Sequence, residues 1–237
     1  MQLLYLSFVF LFGAVSCIRD CEIFHCFPDV DFDFYDLPNE ERLHKLCPDI
    51  LKGLECADET MLSCTGSNLR ELAKSSNVTI AQFAEDMISV RDFFADLCFE
   101  NSNLHEAYVQ SYACVSEYFS SPKHTCNALE QATYEAYKEL LSELPEEQKS
   151  SLPSADNKCL SEAYYFYCVA KQIKMKCGEP GRYLFESMIL RTMGFAIEGC
   201  RKEELADIKQ KFLESLDVTG ERKDYFLEAF EAIMKRK

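Results

Sequence analysis

The stretch Thr79–Cys98, TIAQFAEDMISVRDFFADLC, decides the fold. It opens on Thr79-Ile80-Ala81-Gln82, a capping-box pattern in which a hydroxyl and an amide three residues apart satisfy each other's backbone N–H groups. Phe83, Met87, Val90, Phe94 and Leu97 follow at spacings of three and four. That spacing gathers them on one face of a helix advancing about 100° per residue. A strand would send alternate residues to opposite sides. The stretch therefore reads as an amphipathic helix with a continuous apolar face to bury.

The same period returns on both sides of it. After Asn103, with Glu106 three residues on, Ala107, Val109, Tyr112 and Val115 form a second helical face. Pro122 suits the first turn of a longer helix carrying Leu129, Ala132, Ala136 and Leu140. Residues Ser142–Asn157 hold Pro145 and Pro153 among polar side chains and read as a linker. Lys158–Lys176 is predicted helical and stopped by Gly178 and Pro180, with Lys171, Lys174 and Lys176 near its carbonyl-rich end. Tyr183–Gly199 is a further helix using Leu184, Phe185, Met188, Ile189, Met193 and Ile197. Two more follow, with Leu205, Ile208, Phe212 and Leu216 on one, then Phe226, Phe230 and Ile233 after the Thr219-Gly220 break. The expected fold is all-α, a disulfide-stapled multi-helix bundle.

The cysteines set the compartment. Thirteen occur in 237 residues, a density that belongs to an oxidising environment. Leu3–Val15 is almost wholly apolar, shorter than the roughly 20 residues of a spanning helix, and has the form of a secretory leader with cleavage near Ser16 or Cys17. Cleavage after Cys17 leaves Cys21, Cys26, Cys47, Cys56, Cys64, Cys98, Cys114, Cys126, Cys159, Cys168, Cys177 and Cys200, enough for six bridges. Twelve cysteines permit about ten thousand connectivities. Spacing prunes one possibility: Cys168 and Cys177, nine apart, lie about 180° around a helix and should bond to different neighbours. The order Cys47, Cys56, Cys64 with distant Cys98 rhymes with Cys159, Cys168, Cys177 with distant Cys200. Internal duplication and a helical hairpin stapled twice by similar geometry both account for this. The chain divides on this reading into a signal peptide (1–17), an acidic N-terminal arm (18–46), a first helical half (47–145), a linker (146–157) and a second helical half (158–237).

Composition narrows the function classes. Net charge is −15 from 40 acidic and 25 basic residues, which opposes nucleic acid or an anionic membrane as partner. No later apolar run reaches membrane length, so no membrane span is expected. Only 8 glycines and 7 prolines are present, fewer than a turn-rich sandwich or barrel wants.

Cys21, His25 and Cys26 could hold a metal, but in an oxidising compartment a local Cys21–Cys26 disulfide is the stronger expectation. His44, His105 and His124 are scattered, with no metalloprotease spacing among them. Asp29, Asp31 and Asp33 alternate and Glu40 stands twelfth, as in a calcium loop, yet Phe34 occupies the place of the required glycine. An acidic arm anchored by Phe32, Phe34 and Leu37 is the preferred reading. There is no Gly-x-Ser-x-Gly elbow and no phosphate-cradling loop. Glu40 with Glu41, and Glu203 with Glu204, suit helix starts. No catalytic residue and no cofactor are therefore assigned, and the expectation is a protein without enzymatic activity. Asn77-Val78-Thr79 is a glycosylation acceptor whose Thr79 could also cap the helix. The aromatic run Tyr164–Tyr167 is expected in the core; exposed, it would mark a partner site.

The cysteine order, with DLCFENSNLHEAYVQSYAC ending at Cys114 and CLSEAYYFYCVAKQIKMKC ending at Cys177, resembles the 27 kDa hemolymph glycoprotein family of insects and its secreted arthropod relatives over about residues 47–200. The chain departs from that pattern in lacking a glycine pair before Cys114 and in adding Cys21, Cys26 and the acidic arm. The resemblance implies a secreted helical protein of body fluid or gland secretion such as hemolymph, saliva or venom. Two functions follow: a non-catalytic extracellular protein acting on a protein partner, or a carrier of small apolar ligands between helices rich in Phe and Tyr and in the Met188–Met193 face.

Overall fold

The computed structural model describes residues 21, 23–27, 32, 36–121 and 159–192, with isolated positions between the last two, and the side chains of residues 24, 159–164 and 167 excepted. Among the described residues a 3-10 turn, Ile23–Cys26, precedes five helices whose bounds are defined: α1 Glu40–Thr65, α2 Leu69–Leu72, α3 Val78–Cys98, α4 Asn103–Ser120 and α5 Cys159–Thr192. No strand occurs among the described residues. The fold is a disulfide-stapled all-α bundle.

Local chemistry fixes each boundary. The Asn39 side chain accepts from Arg42 N at 2.8 Å to start α1, with Glu40 and Glu41 in the first turn against the positive end of the helix. Gly66 ends it at φ 75°, its N–H returning to the Leu62 carbonyl. That left-handed backbone is why glycine stands there. Asn68 and Glu71 form a full capping box on α2. On α3 the cap is Asn77 instead of the expected Thr79: Asn77 Oδ1 accepts from Thr79 N and Ile80 N at 3.1 and 3.3 Å. An asparagine two residues earlier caps a correspondingly earlier pair of N–H groups and lengthens the helix. Ser102 caps α4, one residue before the expected Asn103.

The arm boundary expected at residue 46 falls inside α1, which begins at Glu40 and runs through Pro48. The proline interrupted the pattern that the acidic first turn of this helix had begun. Its buried face is Leu43, Cys47, Ile50, Gly53, Leu54, Ala57 and Met61. The stop expected at Gly178 is a kink: Gly178 leaves helical geometry at φ 75°, and the helical run resumes at once, through Pro180, to Thr192. Proline fits here because it lies in the first turn after the break, where its missing N–H costs nothing. Lys174 donates across the kink to Glu179 and holds that carboxyl below the usual carboxylate range, while Lys176 pairs with Glu117 at 3.0 Å.

The described residues fall into two compact units, one comprising those up to Ser121 with those from Ile173, the other those of 122–172. In the first, Phe83, Met87, Val90, Phe94 and Leu97 are all buried, as the spacing predicts, and Phe93 joins them fully buried. On α4 the buried face is Leu104, Ala107, Tyr108, Ser111, Val115 and Tyr118, rotated from the predicted one, since Val109 and Tyr112 are only half-buried. Leu184, Phe185, Met188 and Ile189 line α5 as expected. In the second unit Cys126, Cys168, Val169 and Ala170 are buried and the Cys126–Cys168 bridge closes the fold locally. Leu129, Ala132, Ala136, Leu140 and everything after Thr192, including Met193, Ile197, Cys200 and the last two expected helices, lie outside the described residues. So do the leader and most of the linker.

Candidate functional site

Among the described residues five disulfides are present: Cys21–Cys64, Cys26–Cys56, Cys47–Cys98, Cys114–Cys177 and Cys126–Cys168. Cys168 and Cys177 do bond to different neighbours, as the helical angle between them requires. The local Cys21–Cys26 bridge is not formed. Both cysteines cross to α1, where Cys56 and Cys64 stand eight residues, about 12 Å, apart along one helix. The turn lies along α1, so each sulfur finds its partner across the contact and not along its own chain. The side chain of Cys159, and Cys200, lie outside the described residues.

This segment belongs to the core. Cys21, Ile23 and Cys26 form one cluster with Ala57, Met61, Leu69, Phe83, Ala84 and Met87. The close approach depends on Gly53: a Cβ there would stand 2.5 Å from the Phe27 ring and 2.8 Å from the Cys26 carbonyl oxygen. Phe32 is buried edge-on against Phe94 with centroids 5.5 Å apart, and Leu37 is buried with its N–H donating to Ser116 Oγ at 3.0 Å. Phe32 and Leu37 thus anchor the arm, while Phe34 and the alternating Asp29, Asp31 and Asp33 lie outside the described residues. Glu40, the twelfth position of the calcium-like stretch, is the exposed first residue of α1.

An open surface cleft of about 540 Å³ lies where the start of α1 meets the α3–α4 turn, lined by Glu40, Glu100, Asn101, Ser102, His105, Glu106, Val109 and Gln110. Three carboxylates and no basic side chain but an imidazole face it. His44 stands 3.4 Å from Glu100 at its exposed edge. Its floor is rigid. Ser102 Oγ accepts from His105 N at 2.9 Å and donates to the Asp96 carbonyl. The buried His105 ring meets the Leu97 carbonyl through Nδ1 at 2.8 Å, so that nitrogen carries the proton and satisfies one of the open carbonyls at the end of α3. Behind it Tyr108, fully buried, donates its phenol to the Pro38 carbonyl and ties the arm to α4. Burial, with Tyr112 beside it, pushes that phenol well above its ordinary range.

The remaining sequence candidates stay apart from this cleft. Asn77 is exposed, and its Oδ1 is engaged by the cap while the modifiable nitrogen takes no part in those bonds. Tyr165 and Phe166 are half-buried and pack edge to face at 5.6 Å; Tyr164 and Tyr167 are outside the described side chains. Glu41 pairs with Lys45 at 2.6 Å on an exposed face. His124, Glu203 and Glu204 lie outside the described residues. Sequence reading singled out neither Glu100, Asn101 and Ser102 nor Gly53 and Tyr108. The polar Glu100–Ser102 break between two apolar helices was the available signal for the cleft; nothing local announced the other two. No family model, curated protein or solved structure matches the chain, and its chemistry must be read from its own residues.

Proposed function

We propose that the chain is a secreted, non-catalytic extracellular protein of a body fluid or gland secretion, acting by binding a protein partner through its rigid surface. The observation that carries this reading is the set of five disulfides on a framework with capped helices and a buried apolar core in its first unit. Such bridges persist outside the reducing cytosol, and no helix among the described residues is long and apolar enough to cross a membrane. The acid-lined cleft and the charge of −15 suit a basic partner. They do not suit an apolar ligand, which wants an enclosed apolar pocket. The cysteine order it shares with the hemolymph glycoproteins supports the same compartment. Asn77 carries a glycan on this reading, since the residue is exposed and its cap engages Oδ1.

Native mass spectrometry of protein purified from its source fluid tests the proposal. A stable protein complex that dissociates with rising salt, and a mass at Asn77 removed by an N-glycan-releasing amidase, are the expected results. A co-purifying lipid on a monomer would overturn it in favour of the carrier.

A further inference from the structure

The Cys26–Cys56 bridge has an imidazole beside both of its sulfurs. His25 precedes Cys26 on the 3-10 turn, and its Nε2 lies 3.8 Å from Cys26 Sγ and 4.0 Å from Cys56 Sγ. The three donor atoms all lie within 4.8 Å of one another, and Thr60 Oγ1 is 3.7 Å from Cys26 Sγ. We propose that this bridge is the closed form of a metal site, which opens on reduction to present two thiolates and one imidazole to a zinc-class cation.

Geometry favours it. A tetrahedral zinc with Zn–S about 2.3 Å and Zn–N about 2.0 Å spaces its sulfurs about 3.8 Å apart and sulfur from nitrogen about 3.5 Å. The measured Nε2 distances of 3.8 and 4.0 Å already approach that spacing. Once the covalent bond is cut, only the two sulfurs must draw apart. They also stay together: Cys21–Cys64 still pins the turn to α1, eight residues further along that helix. His25 is exposed and Cys56 half-buried, which gives an ion a route in, and the net charge of −15 draws cations toward the chain. Thiolate and imidazole select zinc or copper(I) over calcium or magnesium. Three protein ligands leave the fourth position to water, beside the Thr60 hydroxyl.

The chemistry balances with an external dithiol as reductant. The dithiol loses its two S–H bonds and forms its own S–S bond; the Cys26–Cys56 S–S bond breaks and two thiols form. Metal binding then releases those two protons while His25 donates its Nε2 lone pair.

The test uses full-length oxidised protein with Co²⁺ as spectroscopic stand-in for Zn²⁺. Dithiol is raised until alkylation mapping finds Cys26 and Cys56 free, and Co²⁺ is added after the dithiol is removed. The expected result is an intense thiolate-to-cobalt charge-transfer band with tetrahedral visible bands, abolished by added Zn²⁺. His25→Ala should weaken Co²⁺ at least about tenfold, since even groups that merely support a ligand cost that much, with the circular dichroism of the oxidised protein unchanged. The double variant Cys26→Ser, Cys56→Ser, treated with the same dithiol, should lose the band. Absence of the band once Cys26 and Cys56 are free, equal affinity in His25→Ala, or persistence of the band in the double variant would each overturn the proposal.

Discussion

The described anchors of the arm, from Cys21 to Leu37, and the α3–α4 pair bury side chains in the same unit, but different forces put them there. The pair brings Phe83, Met87, Val90, Phe93, Phe94, Leu97, Leu104, Tyr108 and Val115 to the interior. Each such side chain contributes about 1.5–3 kcal/mol on burial, so the pair is held by its own apolar surface. The described arm brings Ile23, Phe32 and Leu37, and it is fastened by two disulfides and a phenol. Three large side chains buried against the nine of the pair offset far less of the entropy of ordering the chain. Covalent closure lowers that cost in the unfolded state instead.

The largest expected effect comes from breaking this difference at its covalent end. Replacing Cys21, Cys64, Cys26 and Cys56 by Ser removes closures spanning 43 and 30 residues, each worth about 4 kcal/mol in the chain-entropy picture. Amide exchange at Ile23–Cys26 should become fast and the urea midpoint should fall sharply. Retained protection of those amides would show that packing alone suffices for the arm. On the other side, Phe93→Ala should cost about 3–5 kcal/mol while leaving Cys26–Cys56 oxidised. Phe93 is fully buried against Phe94 and beneath Arg191, whose guanidinium lies 5.8 Å from the ring centre and 2.8 Å from Asp96.

A sharper probe separates contact from covalency. Gly53→Ala gains about 0.5–1 kcal/mol of helix propensity, yet its methyl would meet the Phe27 ring at 2.5 Å and the Cys26 carbonyl at 2.8 Å. Overpacking costs about 1–3 kcal/mol, and the carbonyl cannot swing away as a ring can. Net destabilisation is expected, with Phe27→Ala in the same chain restoring part of it. Stabilisation by Gly53→Ala alone would mean that the arm stands off α1 in solution.

The helices were legible where their chemistry is local. The five apolar positions of α3 announce it because a period of three and four has no other reading. Asn77 beside Thr79 shows the limit: two residues could cap, and only the helix length decides between them. In α1, Glu40 and Glu41 signalled a helix start, but Pro48 interrupts the pattern, and packing on Leu43, Ile50, Leu54 and Met61 carries the helix through it. Pairing of cysteines is a property of elements in contact, so Cys26 with Cys56 could not be read from spacing, although the divergence of Cys168 and Cys177 could. The cleft escaped notice for the same reason. Glu40, Glu100 and Glu106 meet only when α1 is laid beside the α3–α4 turn.

The last expected effect lies at the polar seam between the two regions. Tyr108→Phe would leave the Pro38 carbonyl without its donor, at a cost of about 1–3 kcal/mol. The same phenol makes stability depend on alkaline pH. Its folded-state value is raised by burial above the ordinary phenol value of 10.0, so above that pH the unfolded chain loses the proton first and the folded chain keeps it. The stabilisation is present in full below about pH 10 and falls as pH rises further, because the folded state then binds more protons than the unfolded one. Urea unfolding monitored between pH 9 and 11, with tyrosinate absorbance recorded in parallel, should show a loss of stability in the parent that is reduced in Tyr108→Phe. Equal slopes in the two proteins would place the Tyr108 phenol in water and cut the hydrogen-bonded link between the arm and α4.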